Sequence, residues 1–257
     1  MALDLLTIPC LSDNYAYLIH NPASGQTALV DVPEAAPLLA ALSDKGWTLS
    51  DILLTHHHWD HIDGVADLLA GLPNRPAVWG AAADAHRLPP LNHALKDGDC
   101  VTICSANVQV LDVPGHTVGH IAFHFPDDHL LFSGDSLMVM GCGRLFEGTP
   151  AQMHLALSRM AAVPGETLVC SGHEYTSSNI AFALSLEPEN PALMLRAKAV
   201  KSAREAGRAT VPATLAEELE TNPFLRAHNP ALQSALGLAG AADVDVFTEI
   251  RARKDKF

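Results

Sequence analysis

Short apolar runs separated by turns dominate the chain up to about residue 174. Several are continuously apolar, as at Ile52-Leu53-Leu54, which is typical of strands that other layers cover on both faces. Helical periodicity occurs between them, at residues 34–45, 62–69 and 151–160, so we expect these helices to lie outside the sheets. The pattern predicts an α/β sandwich. Its expected strands are residues 15–20, 27–32, 51–55, 108–113, 120–125, 129–133 and 167–171.

The strand pattern fades after Tyr175, and helix signals replace it. Asn190-Pro191 begins a long helical stretch that Gly207 ends, because Asn is a good N-cap, Pro fits the first turn and Gly stops a helix. Thr214 with Glu217 forms a capping box for another helix, and Asp243 is expected to cap the last one. We therefore predict an α/β domain at residues 1–174 and a helical domain at residues 175–257.

Composition restricts the class of protein. The sequence is 48% hydrophobic and 18% charged, as in a packed globular chain. Its start carries no basic segment and reaches Asp13 before any long apolar run, so we expect no signal peptide, no membrane anchor and a cytoplasmic location. The five cysteines are scattered without the spacing of a zinc knuckle or a disulfide framework, which predicts reduced thiols.

Charge is distributed unevenly along the chain. The net charge of −13 argues against a nucleic-acid partner, because phosphate binding needs clustered Lys and Arg. Residues 1–143 carry 4 basic and 16 acidic side chains, whereas residues 144–257 carry 12 and 13. The basic side chains of the second part either cover a solvated helical surface or bind an anionic ligand.

A dense group of potential metal ligands follows the predicted strand at residues 51–55. His56, His58, Asp60 and His61 lie within six residues, more than one small ion accepts from so short a span. Imidazole together with carboxylate suits Zn, Fe or Mn. The cluster therefore predicts a site with two metal ions.

Later strand ends offer further ligands in a repeated arrangement. His116, Asp135 and His173 each follow a predicted strand and are each preceded directly by a glycine. Glycine allows the backbone to turn or approach closely where a side chain would collide. We expect these three residues to complete the ligand set.

These residues, taken in order, resemble the pattern of the metallo-β-lactamase superfamily. The resemblance implies an αββα sandwich in which His56, His58 and His116 bind one metal and Asp60, His61 and His173 bind the other. It also implies that Asp135 bridges both ions and that Asp31 orients a ligand from behind, although Asp31 also suits an ordinary turn at a strand end.

Further motifs resemble the glyoxalase II, or hydroxyacylglutathione hydrolase, family over nearly the whole chain. They are residues 8–15, 55–61, 142–144, 146–148 and 172–176, the segment Asn222-Pro223-Phe224-Leu225-Arg226, and the ending with Arg251, Lys254, Asp255 and Phe257. The resemblance implies hydrolysis of S-(2-hydroxyacyl)glutathione, such as S-D-lactoylglutathione, to glutathione and a 2-hydroxy acid such as D-lactate, in methylglyoxal detoxification. It implies a small-molecule partner, no nucleic acid, no membrane and a monomer.

Glutathione carries two carboxylates and one ammonium group, so fixed cations would help to bind it. By resemblance, Arg144, Arg251 and Lys254 hold its glycine carboxylate and Tyr175 donates to its peptide part. Phe146 stands where some family members carry Tyr, which puts one hydrogen bond to glutathione in doubt. Arg251 and Lys254 also fit a solvated terminal helix face.

We expect a hydroxide held between two divalent cations, most simply Zn with Fe or Mn as alternatives, to attack the thioester carbonyl. Asp60 is the candidate for steering the proton. Three rivals remain: a mononuclear iron persulfide dioxygenase, a zinc β-lactamase and a non-catalytic metal-binding module. The presence of Asp60, His61 and His173 disfavours the first, and the helical extension with Arg251 and Lys254 disfavours the second. Seven ligands shared by two ions leave room for water, which disfavours the third.

Overall fold

The computed structural model describes residues 3–257. Its strands are β1 (Asp4–Cys10), β2 (Asn14–His20), β3 (Gln26–Val30), β4 (Thr48–Leu53), β5 (Ala77–Ala81), β6 (His93–Leu95), β7 (Cys100–Ile103), β8 (Ala106–Asp112), β9 (Ile121–Phe125), β10 (Leu130–Gly134), β11 (Leu137–Met138), β12 (Gly141–Cys142), β13 (Leu168–Ser171) and β14 (Ala213–Thr214). Its α-helices are α1 (Ala35–Lys45), α2 (Trp59–Ile62), α3 (Val65–Gly71), α4 (Pro150–Met160), α5 (Thr176–Leu186), α6 (Pro191–Glu205), α7 (Leu215–Thr221), α8 (Pro230–Leu236) and α9 (Asp243–Lys254).

The chain divides into two compact units. The first comprises the residues up to Asp112 together with Gly119–Gly134, and the second comprises Val113–Val118 together with Asp135–Phe257.

Two sheets form the first unit. One has the strand order β1-β2-β3-β4-β5-β6, with antiparallel pairs from β1 to β3 and parallel pairs from β3 to β6. In the other, β7, β8, β9 and β10 form an antiparallel meander. The rings of Tyr17 and Phe132 meet edge to face at 5.5 Å and join the two sheets. Strands β9 and β10 are buried along their whole length, as their mainly apolar sequences favour.

Helices α1 and α3 cover the outer face of the first sheet. Leu38 and Leu42 of α1 and Leu68 of α3 share a buried apolar cluster with Leu29 and Ile52 from the sheet. Helix α1 ends at Gly46, whose φ of 64° is the left-handed conformation that glycine adopts without strain. The C-terminal boundary of the helix predicted at residues 34–45 is therefore confirmed.

The second unit is mainly helical. Strands β11 and β12 form a short hairpin, and β13 pairs with β14 in antiparallel fashion. Its helices pack around aromatic side chains: Phe224 lies 6.2 Å from Phe182 and 5.6 Å from Phe247, measured between ring centroids. Helix α4 packs on α9, and α5 packs on α6.

The predicted fold class is confirmed, with mixed sheets, helices and a helical C-terminal region. The Asn190 cap and the Thr214–Glu217 capping box form as predicted. One expectation is wrong: Ala242 occupies the N-cap of α9 and Asp243 is its first helical residue. Within residues 3–257, none of the helices combines the length and the apolar character needed to cross a membrane.

Candidate metal-binding site

Four of the predicted ligands follow β4 in the first unit. His56 and His61 are fully buried. His56 Nε2 lies 3.1 Å from His58 Nδ1, and ligand atoms of His56 and His61 and of Asp60 and His61 lie within 4.8 Å of each other. The loop after β4 therefore brings its ligand atoms together at the distances that a metal site needs.

Asp31 organises this loop from behind. Its Oδ1 accepts from the Thr55 backbone amide at 2.9 Å, and its Oδ2 accepts from Thr55 Oγ1 and from His61 Nδ1, each at 2.8 Å. A carboxylate can only accept, so His61 carries a proton on Nδ1, and in the neutral imidazole Nε2 is the atom that can bind a metal. The Thr55 hydroxyl gives its proton to Asp31 and so accepts from His56 Nδ1 at 3.0 Å, which makes Nε2 the metal-binding atom of a neutral His56 as well.

Asp60 is held by a residue whose role was not predicted from sequence. The side-chain amide of Asn14 donates to the Asp60 backbone oxygen at 3.0 Å and to Asp60 Oδ2 at 3.2 Å, and Asn14 is buried. The only sequence signal was its place in the motif at residues 8–15. His57, which is not among the predicted ligands, contacts the buried carboxylate of Asp84 at 3.2 Å.

The other three predicted ligands meet in the second unit. Asp135 Oδ2 lies 3.4 Å from His116 Nε2 and 3.3 Å from His173 Nε2. His116 Nδ1 donates to the backbone oxygen of Arg144 at 2.8 Å, so in the neutral imidazole Nε2 is the atom that can bind a metal. A divalent cation can accept lone pairs from both the imidazole rings and the carboxylate. The donor set therefore fits a divalent ion.

The glycines that precede two of these ligands act as the sequence suggested. Gly134 has a φ of 49°, and a Cβ atom there would lie 2.6 Å from Thr55 Oγ1. Gly115 has a φ of 152°, and its Cβ would lie 2.7 Å from the Cβ of Met153. A side chain at either position would displace its neighbours, so both turns require glycine.

The predicted substrate-binding residues lie in the second unit and differ in exposure. Arg144 is exposed, and its guanidinium lies 5.9 Å from the centre of the Phe146 ring. Tyr175 precedes α5, and its ring stacks on that of His173 at 4.7 Å with an interplanar angle of 7°. Lys254 is half-buried and donates to the Ser178 carbonyl at 3.3 Å.

Arg251 is the least exposed of this set, at 5%. Its guanidinium donates to the Cys142 carbonyl at 3.2 Å and to Asp255 Oδ1 at 2.7 Å, and it lies over the Phe224 ring. Burial and the nearby Arg251 charge lower the pKa of Lys254, while burial raises the pKa of the Cys142 thiol to about 11. The C-terminal helix thus places one cation inside the unit and one at its edge.

Comparison with known proteins agrees with this organisation. Residues 12–173 match the model of the metallo-β-lactamase superfamily, and residues 174–257 match the model described as the hydroxyacylglutathione hydrolase C-terminus. The hydroxyacylglutathione hydrolase of Fuscovulum blasticum is 62% identical over the full length of both chains. That of Jannaschia sp. strain CCS1 is 61% identical over 98% of each. The chain belongs to the hydroxyacylglutathione hydrolase family.

Membership of this family makes the chain an enzyme, a hydrolase of the metallo-β-lactamase superfamily. Among solved structures, the protein TTHA1623 in a di-iron-bound form superposes with a TM-score of 0.60 at 28% identity, covering 86% of this chain and all of that one. This chain combines the observed fold with clusters of His and Asp side chains suited to divalent metals.

Proposed function

We propose that this protein hydrolyses S-(2-hydroxyacyl)glutathione, with S-D-lactoylglutathione as its substrate, to glutathione and a 2-hydroxy acid, D-lactate. This reaction would serve methylglyoxal detoxification. The stack of Tyr175 on His173 carries the proposal, because it joins a predicted metal ligand to a predicted glutathione contact within one unit. The full-length relatives named hydroxyacylglutathione hydrolase support the same substrate.

The proposed metal site uses all seven predicted ligands: His56, His58, Asp60, His61, His116, Asp135 and His173. We propose two divalent ions, most simply Zn, with Fe as the alternative that the di-iron form of TTHA1623 suggests and Mn as a third. Once bound, such ions would supply an acidified water as nucleophile and positive charge for the developing oxyanion.

The residues of the chain then have distinct tasks. Asp31, Thr55 and the Arg144 carbonyl accept from Nδ1 of His61, His56 and His116 and so orient each ring to bind metal through Nε2. The carboxylate of Asp60, oriented by Asn14, is assigned to proton transfer. Arg144, Lys254 and Arg251 would provide positive charge for the glycine carboxylate of glutathione, and Tyr175 a hydroxyl for its peptide part, with Phe146 beside them.

Three further assignments are part of the proposal. We place the domain boundary between residues 174 and 175, which the matched ranges 12–173 and 174–257 support. We propose a cytoplasmic location, which suits the five free cysteines. We also propose that the enzyme acts as a monomer.

The decisive assay follows thioester loss and thiol release from S-D-lactoylglutathione, with the metal content measured on the same sample. We expect stoichiometric release of glutathione by the metal-loaded enzyme. His116→Ala should lose metal and turnover, whereas the exposed histidine variant His86→Ala should keep both. Absence of turnover in fully loaded enzyme would refute the substrate. Oxygen consumption with glutathione persulfide, or hydrolysis of a β-lactam, would then point to one of the rival activities.

A further inference from the structure

The hairpin formed by β11 and β12 lies next to predicted metal ligands. Directly after it, the Gly143 amide donates to the Ser136 carbonyl at 3.1 Å. A Cβ on Gly143 would lie 1.9 Å from the Asp135 carbonyl oxygen and 2.9 Å from His116 Nδ1. The next residue, Arg144, provides the carbonyl that accepts the His116 proton. The position of this short segment therefore decides how His116 is oriented.

Two side chains from α7 and its end hold the hairpin. Asn222 donates from Nδ2 to the Met138 carbonyl at 3.2 Å and to the Gly141 carbonyl at 3.0 Å. Glu218 accepts the Met140 backbone amide at 2.7 Å. Both side chains are fully buried. Met140 has a φ of 62°, a conformation that costs a non-glycine residue about 1 kcal/mol or more, so the turn needs such support.

Asn222 and Glu218 are themselves fixed in place. Asn222 Nδ2 also donates to Glu218 Oε2 at 2.9 Å, and Asn222 Oδ1 accepts the Phe224 amide at 3.0 Å. Arg196 of α6 forms a buried ion pair with the other carboxylate oxygen of Glu218. Two more contacts complete the set, from Asn179 to the Val139 carbonyl at 3.1 Å and from Arg251 to the Cys142 carbonyl.

A gain in the stability of the fold does not by itself explain why these polar side chains are buried around the hairpin. A buried ion pair is often no more stabilising than apolar residues of the same volume, because both charges lose their hydration. The arrangement does provide one defined geometry for the backbone at residues 138–142. Each of these five consecutive residues has one backbone group held by a side chain of the helical region.

We propose that Glu218 and Asn222 are positioning residues, which hold the β11–β12 hairpin so that the Arg144 carbonyl keeps the His116 ring oriented for metal binding. This gives a role to Asn222 in the segment at residues 222–226, which the proposed substrate contacts leave unexplained. The proposal rests on the metal-binding part of the proposed function and does not depend on the substrate.

The test compares Glu218→Gln and Asn222→Ser with a variant of a second ion pair in the same unit. Glu218→Gln keeps the shape of the side chain but removes the charge that holds Met140 and Asn222. Asn222→Ser removes the donors to Met138 and Gly141. The matched control is Glu187→Gln, because Glu187 pairs with Arg226 and its side chain is only 10% exposed. Arg226 belongs to the same segment as Asn222.

We expect Glu218→Gln and Asn222→Ser to release metal to a chelator about 10-fold faster than the wild type, the usual scale for partners that orient a ligand. Glu187→Gln should release metal at the wild-type rate even if its melting temperature falls as far as those of Glu218→Gln and Asn222→Ser. Histidine nitrogen NMR of the metal-free proteins should show a weaker hydrogen bond from His116 Nδ1 to the Arg144 carbonyl in the first two variants only.

Metal release at the wild-type rate from Glu218→Gln would overturn the proposal. Metal release from Glu187→Gln as fast as from Glu218→Gln would also overturn it. If Glu218→Gln does not fold, the comparison of Asn222→Ser with Glu187→Gln decides. Failure of the wild type to hydrolyse S-D-lactoylglutathione would refute the substrate but leave these release rates interpretable, so the two failures are distinguishable.

Discussion

Lys254 and Arg251 are three residues apart on α9 but occupy different environments. Lys254 contacts the Ser178 carbonyl at the edge of the unit, whereas Arg251 is 5% exposed and bonded to Cys142 and Asp255. Replacing Arg251 would therefore disturb packing as well as charge. Lys254 is the better residue for testing how the enzyme binds an anionic substrate.

We expect Lys254→Ala to raise the KM for S-D-lactoylglutathione about 10-fold with kcat little changed, since a charge-assisted hydrogen bond to a remote carboxylate contributes about 1.5 kcal/mol or more. The metal content should not change. Lys201→Ala is the control, because Lys201 lies on an exposed face of α6. A fall in kcat at unchanged KM would contradict a binding role.

The same variant has a pH signature. Burial and the Arg251 charge lower the pKa of Lys254, so its cation is lost at a lower pH than that of an exposed lysine. The wild-type kcat/KM, which reports the free enzyme, should fall as pH rises through this pKa. Lys254→Ala should lack that fall.

Helix ends are the element-scale features that the sequence specifies best. Thr149 and Gln152 form a capping box at α4, in which the Thr149 hydroxyl accepts the Gln152 amide and the Gln152 side chain accepts the Thr149 amide. Such reciprocal bonds satisfy amides that the helix itself leaves unpaired.

Thr149→Ala should lower the free energy of unfolding by about 1 kcal/mol, the usual effect of losing an N-cap. Urea denaturation measures it. Ser158→Ala in the same helix is the control: the Ser158 hydroxyl only bonds back to the His154 carbonyl, so the change should be within about 0.5 kcal/mol of zero. Equal effects of the two substitutions would show that the cap does not stabilise α4.

At the scale of the whole molecule, bound metal should contribute to stability. Ions that bind the native state and not the unfolded chain stabilise it by about 2.7 kcal/mol when present at 100 times their Kd. For a chain of this size, that corresponds to a shift in melting temperature of about 5 to 10 °C.

Removal of metal by a chelator should therefore lower the melting temperature by that amount, and returning Zn should restore it. A chelator already saturated with metal is the control for direct effects of the reagent. An unchanged melting temperature, with metal removal verified by elemental analysis, would contradict a site built from native side chains.

The sequence by itself determined the residue types at the strand ends, the fold class and several helix boundaries. His56, Asp135 and Gly46 could be interpreted in this way because ligand chemistry and capping depend on residue type and on neighbours within a few positions. Short strands such as β5 and β6, and the displaced cap of α9, lack such local signals and were missed or misplaced.

Only the tertiary structure decided how these residues are used. The proton positions of His61 and His116 depend on Asp31 and on the Arg144 carbonyl, which are 30 and 28 positions away along the chain. Arg251 donates to the Cys142 carbonyl, 109 positions away, and Asn222 donates to the Met138 carbonyl of the hairpin, 84 positions away. Contacts at such separations are set by the packing of the whole chain, and no local pattern specifies them.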